Sequence, residues 1–117
     1  MMVKCHCRDC QQVTGGGHVP ALIFPYQAFR FTKGDVRRYA SDSESGGKNV
    51  RGFCEVCGAR LTGVEDAKRG IIGVVAGSLD DPGIFSPQFH IYVDDAQPWD
   101  LMEADVTKFP KMMPRRG

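Results

Sequence analysis

Five cysteines in two tight groups constrain this chain more than any other feature of its sequence. The first group has the spacing C-x-C-x-x-C and the second has the spacing C-x-x-C-G; their members are Cys5, Cys7, Cys10, Cys54 and Cys57. An odd number of cysteines in a chain without an export signal argues against a framework of disulfides. Thiolates a few residues apart can reach one tetrahedral ion when a tight turn folds them inward, and zinc suits this soft ligand. The spacing therefore predicts zinc binding by at least three of the five cysteines.

The second cysteine group has the sequence of a tight turn. Gly58 directly follows Cys57, and glycine adopts the positive φ that such turns often need. We therefore predict a knuckle-shaped turn at Cys54 and Cys57. A thioredoxin-like redox role for this pair is one alternative, but the surrounding sequence lacks the strand–helix–strand pattern of that fold. In a further alternative, the pair completes a single closed zinc site with two of the first three cysteines.

The overall charge excludes several classes of partner. The chain has 15 Lys and Arg against 14 Asp and Glu, a net charge of +1, which provides no concentrated basic field for nucleic acid or an anionic membrane. No apolar run approaches the roughly 20 residues of a membrane span, and the first residues lack the apolar stretch of a signal peptide. We therefore expect a cytoplasmic protein that binds neither nucleic acid nor membrane.

The remaining composition favours a mainly β fold. The chain contains 14 Gly and 7 Pro, which favours many turns, and helical periodicity does not persist anywhere along it. Residues 70–77 form the most apolar stretch and predict a central buried strand. Residues 88–93 alternate between apolar and polar side chains and predict another strand. At this length we expect one domain, residues 1–117.

Turn-forming residues shape the other strand predictions. Two prolines interrupt the apolar run at residues 19–26, which predicts an extended segment at a sheet edge. Residues 29–31 and 36–39 flank a turn that contains glycine, and together they predict a hairpin. Residues 41–48 are polar and predict a mobile surface loop.

Four segments, in this order and spacing, resemble one known family. They are CHCRDC at residues 5–10, RGFCEVCG at residues 51–58, AGSLDDP at residues 76–82 and QFHIY at residues 88–92. The sequence is similar to the glutathione-dependent formaldehyde-activating enzyme family, which also includes centromere protein V. The resemblance extends over essentially the whole chain. It implies an Mss4-like zinc-binding β fold of stacked antiparallel sheets.

The resemblance also implies two zinc sites of different kinds. Cys5, Cys7 and Cys10 would hold a catalytic zinc, and three protein ligands leave a fourth position open, as catalytic zinc requires. Cys54 and Cys57 would hold a second, structural zinc together with an earlier C-x-C pair. No such pair precedes Cys5 in this sequence. We therefore expect the second zinc site to be incomplete in this chain.

The activity implied by the resemblance is that of a zinc-dependent carbon–sulfur lyase. It would form or break an S-hydroxymethyl adduct between a glutathione-like thiol and the aldehyde formaldehyde. Such a reaction needs thiolate activation and carbonyl polarisation, which an open zinc can supply. The alternative is a non-enzymatic zinc-binding interaction module of the same fold. An uncovered sheet edge would favour pairing with a second copy of the chain, as a homodimer.

Five further residues are candidates for supporting roles. His18 is the candidate for a general base that lies nearest in sequence to the first cysteine group. His6 lies between two ligands, so we expect it to point away from the metal or to bond the backbone. His90 lies on a predicted strand, where a structural role is expected. Lys48 and Arg51 could bind the carboxylates of a glutathione-like substrate, but we expect them to be solvated charges at strand ends.

Overall fold

The computed structural model describes residues 1–43 and 46–114, and most of its regular structure is β. The strands are β1 (Met2–Cys5), β2 (Val19–Pro25), β3 (Val36–Asp42), β4 (Lys48–Cys54), β5 (Thr62–Asp66), β6 (Ile71–Val75), β7 (Phe89–Ile91) and β8 (Thr107–Lys108). The described α-helix is α1 (Arg8–Thr14). Short 3-10 helices span Tyr26–Ala28, Ala76–Ser78, Pro82–Ile84 and Val93–Asp95. No helix in the described part of the chain is long and apolar enough to cross a membrane.

The strands form a six-stranded sheet and a separate two-stranded sheet. The large sheet has the order β5-β6-β2-β1-β7-β8, and the small sheet pairs β3 with β4. Pairing is antiparallel from β5 to β1 and within the small sheet, whereas β7 runs parallel to both of its neighbours. The prediction of a mainly β fold with stacked antiparallel sheets is confirmed. The homodimer stays a prediction.

The most apolar stretch of the sequence forms an interior strand, as predicted. β6 lies between β5 and β2, and its residues Ile72, Gly73 and Val74 are buried. A strand covered on both faces is expected to be apolar throughout, because neither face meets water. The strand predicted at residues 88–93 is also present, as the shorter β7.

The apolar run with two prolines forms β2, which is an interior strand and not the predicted edge. Pro20 pairs with Lys4 of β1 and precedes the first residue of β2 that pairs with β6. Pro25 pairs with Ile71 of β6 and follows the last residue that pairs with β1. Each proline therefore lies where β2 has a paired strand on one side only. At these positions the backbone N–H that proline lacks does not interrupt a hydrogen-bond ladder that continues on both sides of the strand.

The predicted hairpin of residues 29–31 and 36–39 is wrong. Phe29 and Phe31 belong to no strand, and their rings pack edge to face with centroids 4.9 Å apart. β3 pairs instead with the strand that follows it, β4, along its whole length. The hairpin is therefore formed one segment later in the chain than the turn signal indicated.

The polar stretch at residues 41–48 connects the two strands of this hairpin. Pairing continues out to Asp42 and Lys48, so both ends of the predicted loop belong to strands. Residues 44–45 of the predicted loop lie outside the described residues.

The helix α1 is short, and its two ends are both capped. Cys7 is the N-cap residue, and its Sγ accepts a hydrogen bond from the backbone N–H of Cys10 at 3.4 Å. Gly15 has a φ of 72°, which lets its N–H donate to the carbonyl oxygen of Gln11 at 2.8 Å. The Gln11 side chain also donates to the backbone oxygens of His6 and Asp95. These bonds fix α1 directly behind the end of β1.

The buried core lies next to the first cysteine group. Val3, Val19, Ala21 and Ile91 form one apolar cluster with Cys10, which is 6% exposed. Burial of a valine or isoleucine side chain stabilises the folded state by about 1.5–3 kcal/mol. One cysteine of the first group is therefore part of the hydrophobic core.

Candidate metal centre

Three thiols converge where β1 ends and α1 begins. Cys5 is the last residue of β1, Cys7 caps α1, and Cys10 lies in the first helical turn. Their three Sγ atoms all lie within 4.8 Å of one another, and we call them the three-thiol cluster. Sulfur ligands about 2.3 Å from a tetrahedral zinc are about 3.8 Å apart. The donor atoms and their spacing therefore fit a zinc ion.

The thiols of this cluster perturb one another strongly. Hydrogen bonds from Cys10 and Cys5 hold the pKa of the Cys7 thiol well below its usual value. Hydrogen bonds with Cys10 and Cys7, together with burial, raise the pKa of Cys5. Groups coupled this closely titrate as one unit. The cluster therefore favours one thiolate shared by three sulfurs, and further deprotonation requires a positive charge nearby.

The second cysteine group forms the knuckle (Cys54 and Cys57), a tight turn between β4 and β5. Gly58 has a φ of 76°, as predicted, and its N–H donates to the Cys54 oxygen at 2.8 Å. The Cys54 N–H donates to the oxygen of Ala59 at 2.9 Å. The backbone N–H groups of Cys57 and Val56 lower the pKa of the Cys54 thiol. The knuckle is thus a well-formed turn with an activated thiol.

The knuckle does not join the three-thiol cluster. Among the described residues, the groups compact enough to hold a metal are the three-thiol cluster and a separate group of histidine and aspartate. Cys54 and Cys57 have no third ligand beside them in that part of the chain. Cys57 is exposed, and its neighbour Val56 is 90% exposed. A zinc ion at the knuckle stays a prediction.

A cavity of about 330 Å³ adjoins the three-thiol cluster. All three thiols line it, and its apolar wall contains Val3, Val19, Ala21 and Ile23. Alternate residues of a strand share one face, so Val3 and Cys5 of β1 point the same way. The volume is at the lower end of the range for small-molecule sites, about 300–1,000 Å³. The half-buried thiols of Cys5 and Cys7 are therefore accessible to a small ligand that is partly covered by apolar surface.

Arg51 brings a buried positive charge to the same cavity. It lies on β4, lines the cavity and is 2% exposed. One terminal nitrogen donates to Ser41 Oγ at 2.9 Å, whereas Nε has no hydrogen-bond partner among the described residues. The expectation of a solvated charge is therefore wrong for Arg51. It is confirmed for Lys48, which is exposed and pairs with Asp42.

The three histidine rings form a row, in which His6 packs against His18 and is hydrogen-bonded to His90. His6 and His90 are fully buried, and His6 Nε2 lies 2.9 Å from His90 Nδ1. His90 Nε2 lies 2.7 Å from Glu103 Oε2, which confirms the structural role predicted for His90. His6 bonds this ring and is not grouped with the thiols. His18, the candidate base, lies with its Nδ1 2.7 Å from Asp100 Oδ2.

The pKa values of the two buried histidines and of Glu103 are shifted by burial and by hydrogen bonds. Burial lowers the pKa of His6 to about 4, and burial also lowers the pKa of His90. A hydrogen bond from Lys4 lowers the pKa of Glu103 to about 2. Near neutral pH the two buried rings are therefore uncharged, and Glu103 is a carboxylate.

Sequence reasoning missed Asp100 and Glu103. Asp100 meets His18 across 82 residues of chain, so no local spacing connects the two. An ideal Cβ placed on Gly17 would lie 2.2 Å from Asp100 Oδ2, so this close approach requires glycine. The proximity of a glycine and a histidine before β2 is visible in the sequence, but their partner is not.

Comparison with known proteins gives one family. The family model described as "Glutathione-dependent formaldehyde-activating enzyme" matches residues 1–95. That range contains all five cysteines and Arg51, and it ends before Asp100 and Glu103. A search of curated protein sequences finds no match.

Proposed function

Because the chain belongs to the glutathione-dependent formaldehyde-activating enzyme family, we propose that it is a zinc-dependent carbon–sulfur lyase. Its substrates would be a glutathione-like thiol and formaldehyde, joined in an S-hydroxymethyl adduct. One observation carries the proposal: the three-thiol cluster and the buried Arg51 line the same cavity. A module used only as an interaction surface has no need of such a cavity beside its metal ligands.

The proposal assigns the zinc ion to Cys5, Cys7 and Cys10. When bound there, zinc supplies a positive charge that can lower the pKa of a substrate thiol and polarise an aldehyde carbonyl. The convergence of the three Sγ atoms within 4.8 Å supports this assignment. The lowered pKa of Cys7 supports it as well, because the thiolate is the form of cysteine that binds a metal.

The reaction is an addition of the thiol across the aldehyde C=O bond. A sulfur–carbon bond forms, the π bond of the carbonyl breaks, and the thiol proton ends on the oxygen. The reverse reaction releases both reactants. The chain contributes by holding the two molecules together in one cavity, which converts a bimolecular encounter into a local one. The apolar wall of Val3, Val19, Ala21 and Ile23 reduces the water around them.

Arg51 supports an anionic thiol as the substrate. Glutathione carries carboxylates, and guanidinium groups bind carboxylates through charge-assisted hydrogen bonds. In the described part of the chain no carboxylate pairs with Arg51, and its Nε is without a partner. A carboxylate in the cavity would supply the missing acceptor and balance the buried charge.

The test measures the formation of S-hydroxymethylglutathione from glutathione and formaldehyde by NMR. Zinc-loaded wild-type protein should accelerate the reaction above the uncatalysed rate. The Cys10→Ser variant should lose more than about 100-fold in rate, because loss of a direct ligand exceeds the 10–100-fold effect of outer-shell changes. The matched control, Cys57→Ser, should stay close to wild type. Circular dichroism and a second variant, Cys5→Ser, separate loss of ligand from loss of fold.

Two results would contradict the proposal. One is full activity in a folded, metal-free Cys10→Ser protein. The other is wild-type protein that binds zinc and glutathione without accelerating the reaction, which would favour the non-enzymatic module.

A further inference from the structure

A second set of metal-ligating atoms lies apart from the three-thiol cluster. We call it the His–Asp group (His6, His18 and Asp100), and its ligand atoms all lie within 4.8 Å of one another. His18 Nδ1 is 2.7 Å from Asp100 Oδ2, and His6 Nδ1 is 3.3 Å from the same oxygen. Nothing in the proposed lyase reaction uses these atoms.

The hydrogen bonds along the histidine row determine which nitrogen of each ring carries the proton. The Glu103 carboxylate can only accept, so His90 Nε2 carries a proton and donates to it at 2.7 Å. When His90 and His6 each carry one proton, His90 Nδ1 accepts from His6 Nε2 at 2.9 Å. The lone pair of His6 is then at Nδ1. That lone pair faces the carboxylate of Asp100.

The residues that the structure describes supply no donor to this lone pair. His6 is fully buried, and its Nδ1 has no hydrogen-bond partner among the described residues. The nearby Asp100 oxygen is also an acceptor, so the two atoms repel at 3.3 Å. His18 Nδ1 satisfies Asp100 but not His6. A metal cation between the two acceptors would turn this repulsion into attraction.

We propose that the His–Asp group is a second metal site, which binds a divalent first-row transition ion such as Zn²⁺ independently of the thiols. Two imidazole nitrogens and one carboxylate form a set that such ions commonly use, with the remaining positions open. The side chains of His18 and Asp100 are 22% and 15% exposed, so water can complete the coordination. On binding, the proton that His18 Nδ1 donates to Asp100 moves to Nε2, which frees Nδ1 to bind the ion. The Asp100 carboxylate balances part of the charge of the ion.

The surroundings are arranged as a metal site requires. A metal-bound histidine normally donates its other N–H to a fixed acceptor, and His6 donates to His90, which Glu103 holds in turn. Gly17 leaves the space that Asp100 occupies, since a Cβ at that position would lie 2.2 Å from the carboxylate oxygen. Three separate segments of chain therefore meet to form the group.

The test uses ¹¹³Cd²⁺ alone as the probe, added to the metal-free chain of 117 residues. The chemical shift of cadmium separates thiolate ligands from nitrogen and oxygen ligands. Wild-type protein should give a signal in the nitrogen–oxygen range in addition to the thiolate signal. His18→Gln and Asp100→Asn should each lose the first signal and keep the second. The exposed Asp94→Asn control should keep both.

A second readout follows the imidazole nitrogens directly. The chain has three histidines, so every ring can be followed by ¹⁵N NMR. Cadmium should move the Nδ1 resonances of His6 and His18 together and shift the tautomer of His18. A row held only by hydrogen bonds would give no nitrogen–oxygen cadmium signal in folded wild-type protein. That result, or a signal that survives in both folded variants, would overturn the proposal. Neither readout depends on lyase activity.

Discussion

The three-thiol cluster and the knuckle contain the same C-x-x-C spacing in two different settings. Cys7 and Cys10 begin a helix, whereas Cys54 and Cys57 occupy a turn between strands. The pKa of the first cysteine is lowered in both, by hydrogen bonds with the Cys10 and Cys5 side chains at Cys7 and by backbone N–H groups at Cys54. The first pair is joined by Cys5 and adjoins a cavity. In the second pair Cys54 is half-buried and Cys57 is exposed, and neither has a third ligand beside it in the described part of the chain.

The difference shows that a cysteine spacing alone does not define a metal site. β1 supplies what the knuckle lacks, because it ends in the third thiol and contributes Val3 to the cavity wall. A catalytic centre needs both a set of ligands and space for a substrate beside it. In the described structure only the three-thiol cluster meets both conditions.

Removal of zinc should have the largest effect, and it distinguishes the three-thiol cluster from the knuckle. A strong zinc chelator should lower the Tm of the wild-type protein by more than about 10 °C, because a tightly bound ion stabilises the folded state by several kcal/mol. Scanning calorimetry should give the same decrease for a variant in which both knuckle cysteines, Cys54 and Cys57, are serine. If that variant no longer responded to the chelator, the stabilising metal would be at the knuckle.

Thiol reactivity should separate the regions by burial. In metal-free protein, iodoacetamide should modify exposed Cys57 faster than buried Cys10 by on the order of 100-fold. Peptide mass spectrometry gives the two rates. The lowered pKa of Cys54 leaves more thiolate at neutral pH. The rate at which iodoacetamide modifies Cys54 should therefore reach half of its maximum at a lower pH than the rate for a free thiol. Equal rates at Cys10 and Cys57 would show that the cluster is open to solvent.

Arg51 and Lys48 lie on the same strand, and only Arg51 lines the cavity. Arg51→Lys should raise the KM for glutathione about tenfold, since loss of one charge-assisted hydrogen bond weakens binding by about 1.4 kcal/mol. Steady-state kinetics with Lys48→Gln as the control should show no such change. An unchanged KM in both variants would show that Arg51 does not bind the substrate.

The smallest effect is expected at the histidine row, where Glu103 accepts a hydrogen bond from His90. The knuckle has no comparable row beside it in the described part of the chain. Glu103→Gln should lower the free energy of unfolding at pH 7 by less than about 1 kcal/mol, because exposed ion pairs are screened by solvent. The folded pKa of Glu103 is lowered to about 2. Its contribution is therefore present above the unfolded pKa and lost as the pH falls towards 2. Urea melts of both proteins at pH 7 and pH 3 test this, and a difference that grew at pH 3 would contradict it.

Local sequence signals predicted the parts of the fold that local physics determines. The apolar stretch of β6 and the positive φ of Gly58 depend on a few neighbouring residues, and both are present as predicted. The prediction that β2 lies at a sheet edge is wrong, because its prolines are also compatible with an interior strand. Their effect depends on where β1 and β6 begin and end, and that information is not local.

The same distinction applies to the site. The spacing of Cys5, Cys7 and Cys10 was sufficient to predict that their sulfurs meet. The burial of Arg51 was missed, because a charged residue on a strand gives no sign of which surface covers it. The contact between His18 and Asp100 was missed because it joins distant segments that share no spacing.

The position of β1 has a consequence for how the protein is made. β1 pairs with β7 through Val3 and Phe89, so the ribosome must complete most of the chain before this side of the sheet can close. The cysteines of the three-thiol cluster precede Ile91 and Tyr92, which line the finished cavity, by most of the length of the chain. They are therefore translated before the residues that complete the cavity wall, and the sheet closes beside thiols that are already in place.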